Sequence, residues 1–250
     1  MKFLAIIPAR YASTRFPAKP LAMLGGKPVI QHVYQQVSKA LDNVVVATDD
    51  QRIYEAVIKF GGRVVMTSTE HRTGTDRCLE AYNNFGIEAD VVINVQGDEP
   101  FIAEAQIHLL MQCFDNPQTD IATLIKPFPS GTPFDVISNP NTPKAIINPQ
   151  GQAVYFSRSV IPYLRGIEKD LWTSTRVYYK HIGIYAYRVD ILRRITQMSQ
   201  TPLELAESLE QLRWLENGLT IQTAITRIET IGIDTPEDLQ KAEKYLQQHQ

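Results

Sequence analysis

The sequence predicts an α/β protein: an open, mostly parallel doubly wound sheet with a mixed-sheet insertion in its second half. Three observations carry this. Short apolar runs at residues 3–8, 44–47, 64–66 and 91–95 alternate with stretches of helical spacing. The runs are nearly all apolar rather than alternating, which suits strands covered on both faces. Beyond Asp120 the alternation stops, and extended stretches at 121–127, 144–147 and 153–156 follow one another.

In order along the chain, the first run ends at Pro8, and a loop rich in Arg, Ser, Thr, Pro and Lys is expected from residue 9 to 28. Structureless loops of that length usually serve a function. Residues 29–40 have helical spacing, with Pro28 suited to a first turn. Asp49 and Asp50 follow the second strand and precede a helix reaching about Phe60, where Gly61 and Gly62 end it. Residues 75–85 read as helix. The strand at 91–95 runs into Gln96-Gly97-Asp98-Glu99-Pro100, and another helix is expected from Pro100 to about Phe114. Ligands of such sheets bind beyond the carboxyl ends of the strands, so the loops after Ile7, Met66 and Val95 should meet at one cleft.

In the second half, Asn148-Pro149-Gln150-Gly151 reads as the turn of a hairpin. A strand is expected at 179–187. Residues 203–217 read as one amphipathic helix with Gly218 past its end, followed by a strand at 220–224 and a final polar helix after Pro236.

Length and composition bound the function. At 250 residues the chain fits a single α/β domain. A net charge of −2 offers no electrostatic footprint for nucleic acid or a membrane surface. No stretch reaches the ~20 apolar residues of a membrane span. Cys78 and Cys113 do not form a metal-type pair and sit in apolar helical patterns, as free buried thiols do. The N-terminal apolar run is short and stopped by Pro8, unlike a signal peptide. A cytoplasmic protein is expected.

Five segments carry candidate chemistry, and each has a plainer reading beside it. Residues 8–21 place Arg10, Arg15 and Lys19 with Ser13 and Thr14 in one loop after the first strand. A triphosphate needs such guanidinium forks, an ammonium and backbone N–H groups; a solvated basic loop looks the same. The segment is neither a P-loop nor a Gly-rich dinucleotide fingerprint. Asp98, at the end of a buried strand, suits Mg²⁺, or equally caps the helix expected at Pro100. Asp234, before Thr235-Pro236, is a second metal candidate or another helix start. In His71-Arg72-Thr73-Gly74-Thr75-Asp76-Arg77, Gly74 permits close approach to a ligand, while Thr75 or Asp76 can be caps. Arg158 and His181 suit a carboxylate, and Glu210 and Gln211 suit hydroxyls; for His181 and Tyr185 the alternative is strand packing.

Taken together, the chain resembles the 3-deoxy-manno-octulosonate (Kdo) cytidylyltransferases, also called CMP-Kdo synthetases. The resemblance runs through residues 6–15, Pro17, Lys19-Pro20-Leu21, Gly26-Lys27-Pro28, Val46-Ala47-Thr48-Asp49, Gly74-Thr75-Asp76-Arg77 and residues 94–100. It continues through Tyr155-Phe156-Ser157-Arg158, residues 181–185, Pro202-Leu203-Glu204, residues 209–213 and 234–238. Ala18 stands where the family usually has Gly, Phe16 where Leu is common, Pro143 where Val is usual, and Ala186 where Gly is frequent.

The resemblance implies transfer of CMP from CTP to the anomeric hydroxyl of the sugar acid, with release of pyrophosphate, for lipopolysaccharide biosynthesis. It implies Mg²⁺ as cofactor, held by Asp98 and Asp234, and Arg10, Lys19, Asp98 and Asp234 as catalytic residues. Pro8, Ala9, Arg10, Lys19, Gly74, Thr75, Arg77 and Gln96 would bind the nucleotide. Arg15, Gln96, Arg158, His181, Tyr185, Glu210 and Gln211 would surround the sugar acid. Residues 1–120 would form mainly the nucleotide-binding half, and 121–230 mainly the sugar-binding and dimerisation half of a homodimer. The rivals are a cytidylyltransferase for sialic acid, against which Tyr11-Ala12-Ser13-Thr14 argues, a sugar-1-phosphate nucleotidyltransferase, whose Gly-rich first loop is missing, and a non-catalytic nucleotide-sugar binding protein.

Overall fold

A computed structural model describes residues 1–12 and 16–248. In chain order it contains β1 (Phe3–Ala9), a 3-10 turn at Lys19–Leu21, β2 (Met23–Leu24), β3 (Lys27–Pro28), α1 (Val29–Ala40), β4 (Val44–Thr48), α2 (Gln51–Lys59), β5 (Val64–Met66), α3 (Gly74–Phe85), β6 (Val91–Asn94) and α4 (Glu104–Gln112). There follow β7 (Ile121–Pro127), α5 (Phe134–Ile137), β8 (Lys144–Ile147), β9 (Ala153–Ser157), α6 (Trp172–Thr175), β10 (Tyr179–Arg188), α7 (Val189–Ile195), α8 (Pro202–Glu207), α9 (Glu210–Glu216), β11 (Ile221–Ile225) and α10 (Pro236–Gln248). The result is a mostly parallel mixed α/β sheet wound with helices, of the class expected.

The chain divides into two compact units. The first comprises residues 1–108, 186–196 and 229–250; the second comprises 109–185 and 197–228. In the first unit the strand order is β6-β1-β4-β5, all parallel, with Ile6 opposite both Val45 and Asn94. The all-apolar runs are buried as their composition demands: Leu4 to Ile7, Val44 to Ala47 and Val91 to Ile93 are fully enclosed. The helices bury one stripe each, Val29, Ile30, Val33 and Val37 on α1 and Ile53 and Val57 on α2. Each such side chain contributes roughly 1.5–3 kcal/mol.

In the second unit β11 runs parallel to β7, and β8 pairs antiparallel with both β9 and β10. Cys78 and Cys113 are free, and burial pushes the Cys113 thiol up to about 11, so it stays protonated and inert. No helix among the described residues is long and apolar enough to cross a membrane.

Three local expectations change. The stretch 9–28 is not one structureless loop but holds the 3-10 turn and the β2–β3 pair. The helix after Pro100 begins only at Glu104. Helix α7 had no clear signal, being short and following β10 without a break. Residues 203–217 form two helices rather than one, because Ser208 takes φ 50°, ψ 49° and turns the chain between α8 and α9.

That turn is braced by a buried ion pair. Arg213 donates Nε and Nη2 to Glu204 at 2.8 and 2.5 Å, and both side chains are 6 % exposed. Burial works to raise the Glu204 carboxyl, but the Arg213 bonds and the Thr201 N–H outweigh it and hold it below its ordinary value of 4.5. A depressed carboxylate stabilises the fold above the unfolded value and loses that contribution as pH falls through the folded one. Glu204→Gln is expected to cost about 3–5 kcal/mol at neutral pH, measured by denaturant unfolding. The gap to wild type should narrow as pH drops below 4.5; a gap that stays constant into acid contradicts the assignment.

Candidate active site

The first unit carries a polar cleft of about 290 Å³ at the carboxyl ends of its parallel strands. Its walls come from the three loops expected to converge. Pro8, Ala9 and Arg10 end β1; His71 to Gly74 and Arg77 follow β5; Gln96, Gly97 and Asp98 follow β6. Lys19 and Pro20 of the 3-10 turn and Asp234 complete it. The close approach of the β1 and β6 loops needs Gly97, since a Cβ there would lie 2.6 Å from the Pro8 carbonyl oxygen.

At the centre of the cleft, Lys19 Nζ donates to Asp98 Oδ2 at 2.5 Å and to Asp234 Oδ1 at 3.2 Å. Asp234 is brought there by the backbone: the Ile233 N–H donates to the Asp98 carbonyl at 2.9 Å. Neither carboxylate is a helix cap. Helix α4 starts six residues beyond Asp98. At α10 the Thr235 hydroxyl accepts from the Asp238 N–H at 3.2 Å, while the Asp238 carboxylate takes the Thr235 N–H at 3.2 Å. Both Asp98 and Asp234 are therefore left facing the cleft, with side chains 29 % and 49 % exposed against 14 % for Lys19. Two hard carboxylates converging on one cation are a donor set suited to Mg²⁺.

Lys19 is delivered by Ala18, which takes φ 58°, ψ 16° at the start of the 3-10 turn. This left-handed conformation costs an L residue about 1–2 kcal/mol, a cost that glycine would not carry.

The other cations differ in their commitments. Arg77 lines the cleft but is only 4 % exposed; its guanidinium donates to Asp49 at 2.7 Å and to the Thr67 hydroxyl at 2.6 Å. It braces the wall. Thr75, expected beside the nucleoside, is buried and does not line the cleft. The cap of α3 is Thr73, whose hydroxyl accepts the Asp76 N–H at 3.1 Å. His71 is held by the carboxylate of Glu80, which also accepts the Ser68 N–H. Arg10 and Arg72 remain exposed. His71, Arg72 and Asp49 received no site role from the sequence; their signal was proximity to Gly74 and to the end of β4.

The sugar-acid candidates lie in the second unit, apart from Gln96, which lines the cleft, and Arg15, which falls outside the described residues. Arg158 donates to the backbone carbonyls of Glu207, Pro140 and Ser208 at 2.6, 2.8 and 3.2 Å. Three of its five N–H groups are thus engaged by the chain itself. His181 and Tyr185 share a face of β10, with rings 5.3 Å apart, and Tyr185 meets Trp214 edge-on at 5.0 Å. Burial pushes the His181 imidazole down to about 3. It is neutral at physiological pH and offers hydrogen bonding, with Nε2 3.0 Å from the Thr123 hydroxyl. Burial, reinforced by the Glu210 carboxylate, raises the Tyr185 phenol, which stays protonated. Gln211 is 4 % exposed, and its Nε2 has no hydrogen-bond partner among the described residues.

The family model described as cytidylyltransferase matches residues 4–228. A 3-deoxy-manno-octulosonate cytidylyltransferase of Phocaeicola vulgatus is 60 % identical over 250 residues, covering 100 % of this chain and 99 % of that protein. One from Geobacter metallireducens is 48 % identical over 258 residues, with 100 % of both covered. A solved structure of CMP:2-keto-3-deoxy-manno-octonic acid synthetase complexed with CTP superposes with a TM-score of 0.91 at 41 % identity, covering 100 % of both chains.

The commitment of Arg77 has a direct consequence. Arg77→Met strands the Asp49 carboxylate, whose side chain is 15 % exposed, and is expected to destabilise the protein by about 3–5 kcal/mol in denaturant unfolding. Unchanged stability would make Arg77 a ligand contact rather than a brace.

Proposed function

The chain belongs to the cytidylyltransferase family, and on that premise we propose that it transfers CMP from CTP to the anomeric hydroxyl of 3-deoxy-D-manno-octulosonate, releasing pyrophosphate. The observation that carries this is the convergence of Asp98 and Asp234 on Lys19 inside a cleft edged by Arg10.

In this reading the first unit holds CTP. Pro8, Ala9, Gly74 and Gln96 line the nucleotide's place, and Arg10 and Lys19 pair with phosphate oxygens. Asp98 and Asp234 would hold Mg²⁺, which when bound would offset the negative charge that builds on the transferring group. Lys19, which here donates to both carboxylates, would turn to the triphosphate oxygens. The sugar hydroxyl attacks the α-phosphorus and pyrophosphate leaves in line, so no side-chain nucleophile is needed. The second unit supplies the sugar-acid contacts: Arg158 through its remaining N–H groups, and neutral His181, Tyr185, Glu210 and Gln211 through hydrogen bonds. The protein works as a cytoplasmic homodimer that pairs through the second unit and serves lipopolysaccharide synthesis.

Pyrophosphate release tests the reading. CTP with 3-deoxy-manno-octulosonate should turn over far faster than ATP or GTP with the same acceptor, or CTP with sialic acid; equal rates would contradict it. Asp98→Asn and Asp234→Asn should each remove most turnover in a protein that keeps its circular dichroism. A role in helix capping alone would cost only ~1 kcal/mol of stability and little activity, so near-normal turnover would end the metal assignment at that position.

A further inference from the structure

Two successive carboxylates, Asp49 and Asp50, follow β4, and each holds an arginine. Asp49 holds Arg77 in the wall. Asp50 begins α2, its Oδ1 accepting the Arg52 N–H at 2.9 Å. The same carboxylate takes the Arg52 guanidinium in a fork, Nε at 2.9 Å and Nη2 at 2.6 Å. Held this way, the guanidinium carbon lies 3.4 Å from the centroid of the Tyr11 ring. A planar cation at that distance is stacked on the ring face.

Tyr11 sits between the two cations that edge the cleft. It follows Arg10 directly, and its carbonyl accepts the Ala18 N–H at 3.0 Å, one residue before Lys19. That bond closes the chain between Tyr11 and Ala18. Helix α2 also packs against the 3-10 turn that carries Lys19. Arg52 is 58 % exposed, and an exposed ion pair contributes little to stability. The use of this one is geometric, because it aims a flat cation at the root of the loop.

We infer that Arg52, oriented by Asp50, is a positioning residue for the first loop: it fixes Tyr11 and, through the Tyr11–Ala18 bond, sets the spacing of Arg10 and Lys19. The consequence for CTP rests on the reading of that loop as the triphosphate site. The contact itself does not.

The test therefore has two arms. Arg52→Ala keeps the backbone N–H that Asp50 caps, so α2 and the fold remain. In ligand-free protein its Ala18 amide should exchange with solvent about two- to fivefold faster, the range that an exposed cation–aromatic contact supplies, with amides of α1 unchanged. Arg52→Lys should recover part of the protection, and Tyr11→Phe, which keeps the ring face, all of it. On a Tyr11→Ala background, Arg52→Ala should add nothing. In the second arm the apparent KM for CTP should rise by about the same factor. Wild-type exchange at Ala18 in Arg52→Ala, or an equal effect of Arg52→Ala on both backgrounds, overturns the inference. Failure of the wild-type protein to use CTP overturns the functional reading instead and leaves the exchange arm to decide.

Discussion

The cleft is organised by one ammonium group shared between two carboxylates. Asp98 and Asp234 both lie within 3.2 Å of Lys19 Nζ. Two unit charges ~4 Å apart interact by ~4 kcal/mol at an effective dielectric of ~20, so bringing the carboxylates together without a cation would be costly. The three residues come from the first loop, the loop after β6 and the approach to α10. Parallel pairing of β1 with β6 sets the first two side by side, and the Ile233–Asp98 backbone bond adds the third. In the proposed function a divalent cation would take the oxygens that the lysine ammonium holds here.

Local structure keeps those oxygens available. Asp before a helix usually ends as a cap, and both carboxylates stand where a cap is plausible from sequence. At α10 the Thr235–Asp238 exchange of hydrogen bonds takes that task, and at α4 the helix starts too late for Asp98 to reach. The same economy appears at Ala18, where a strained backbone aims Lys19. Asp49 holds Arg77 in the cleft wall, and Asp50 holds Arg52 over the Tyr11 ring.

Much of the first unit was legible in the sequence, because its strands are continuous apolar runs and its helices show a buried stripe at helical spacing. That legibility extends to the cleft, since parallel topology alone says where the loops converge. What stayed hidden depends on long-range partners or on single backbone angles. Nothing in Arg77 announces Asp49 as its partner, and the break at Ser208 is one positive φ inside a good helical pattern. The low imidazole value of His181 arises from enclosure by Phe156, Tyr185 and Thr123, which come from three different strands. A sequence pattern places such a histidine on a strand face but says nothing about its charge.

In the proposed function Lys19 and a divalent metal are alternative partners of one carboxylate pair. Titrating Mn²⁺ into nucleotide-free protein, read from the loss of the free-ion electron paramagnetic resonance signal, tests it most directly. Removing the ammonium in Lys19→Met should tighten Mn²⁺ binding at least about fivefold, because even in a water-like dielectric a unit charge ~4 Å away is worth ~1 kcal/mol. Adding Asp98→Asn should cancel the gain. Unchanged or weaker Mn²⁺ binding in Lys19→Met would contradict the account.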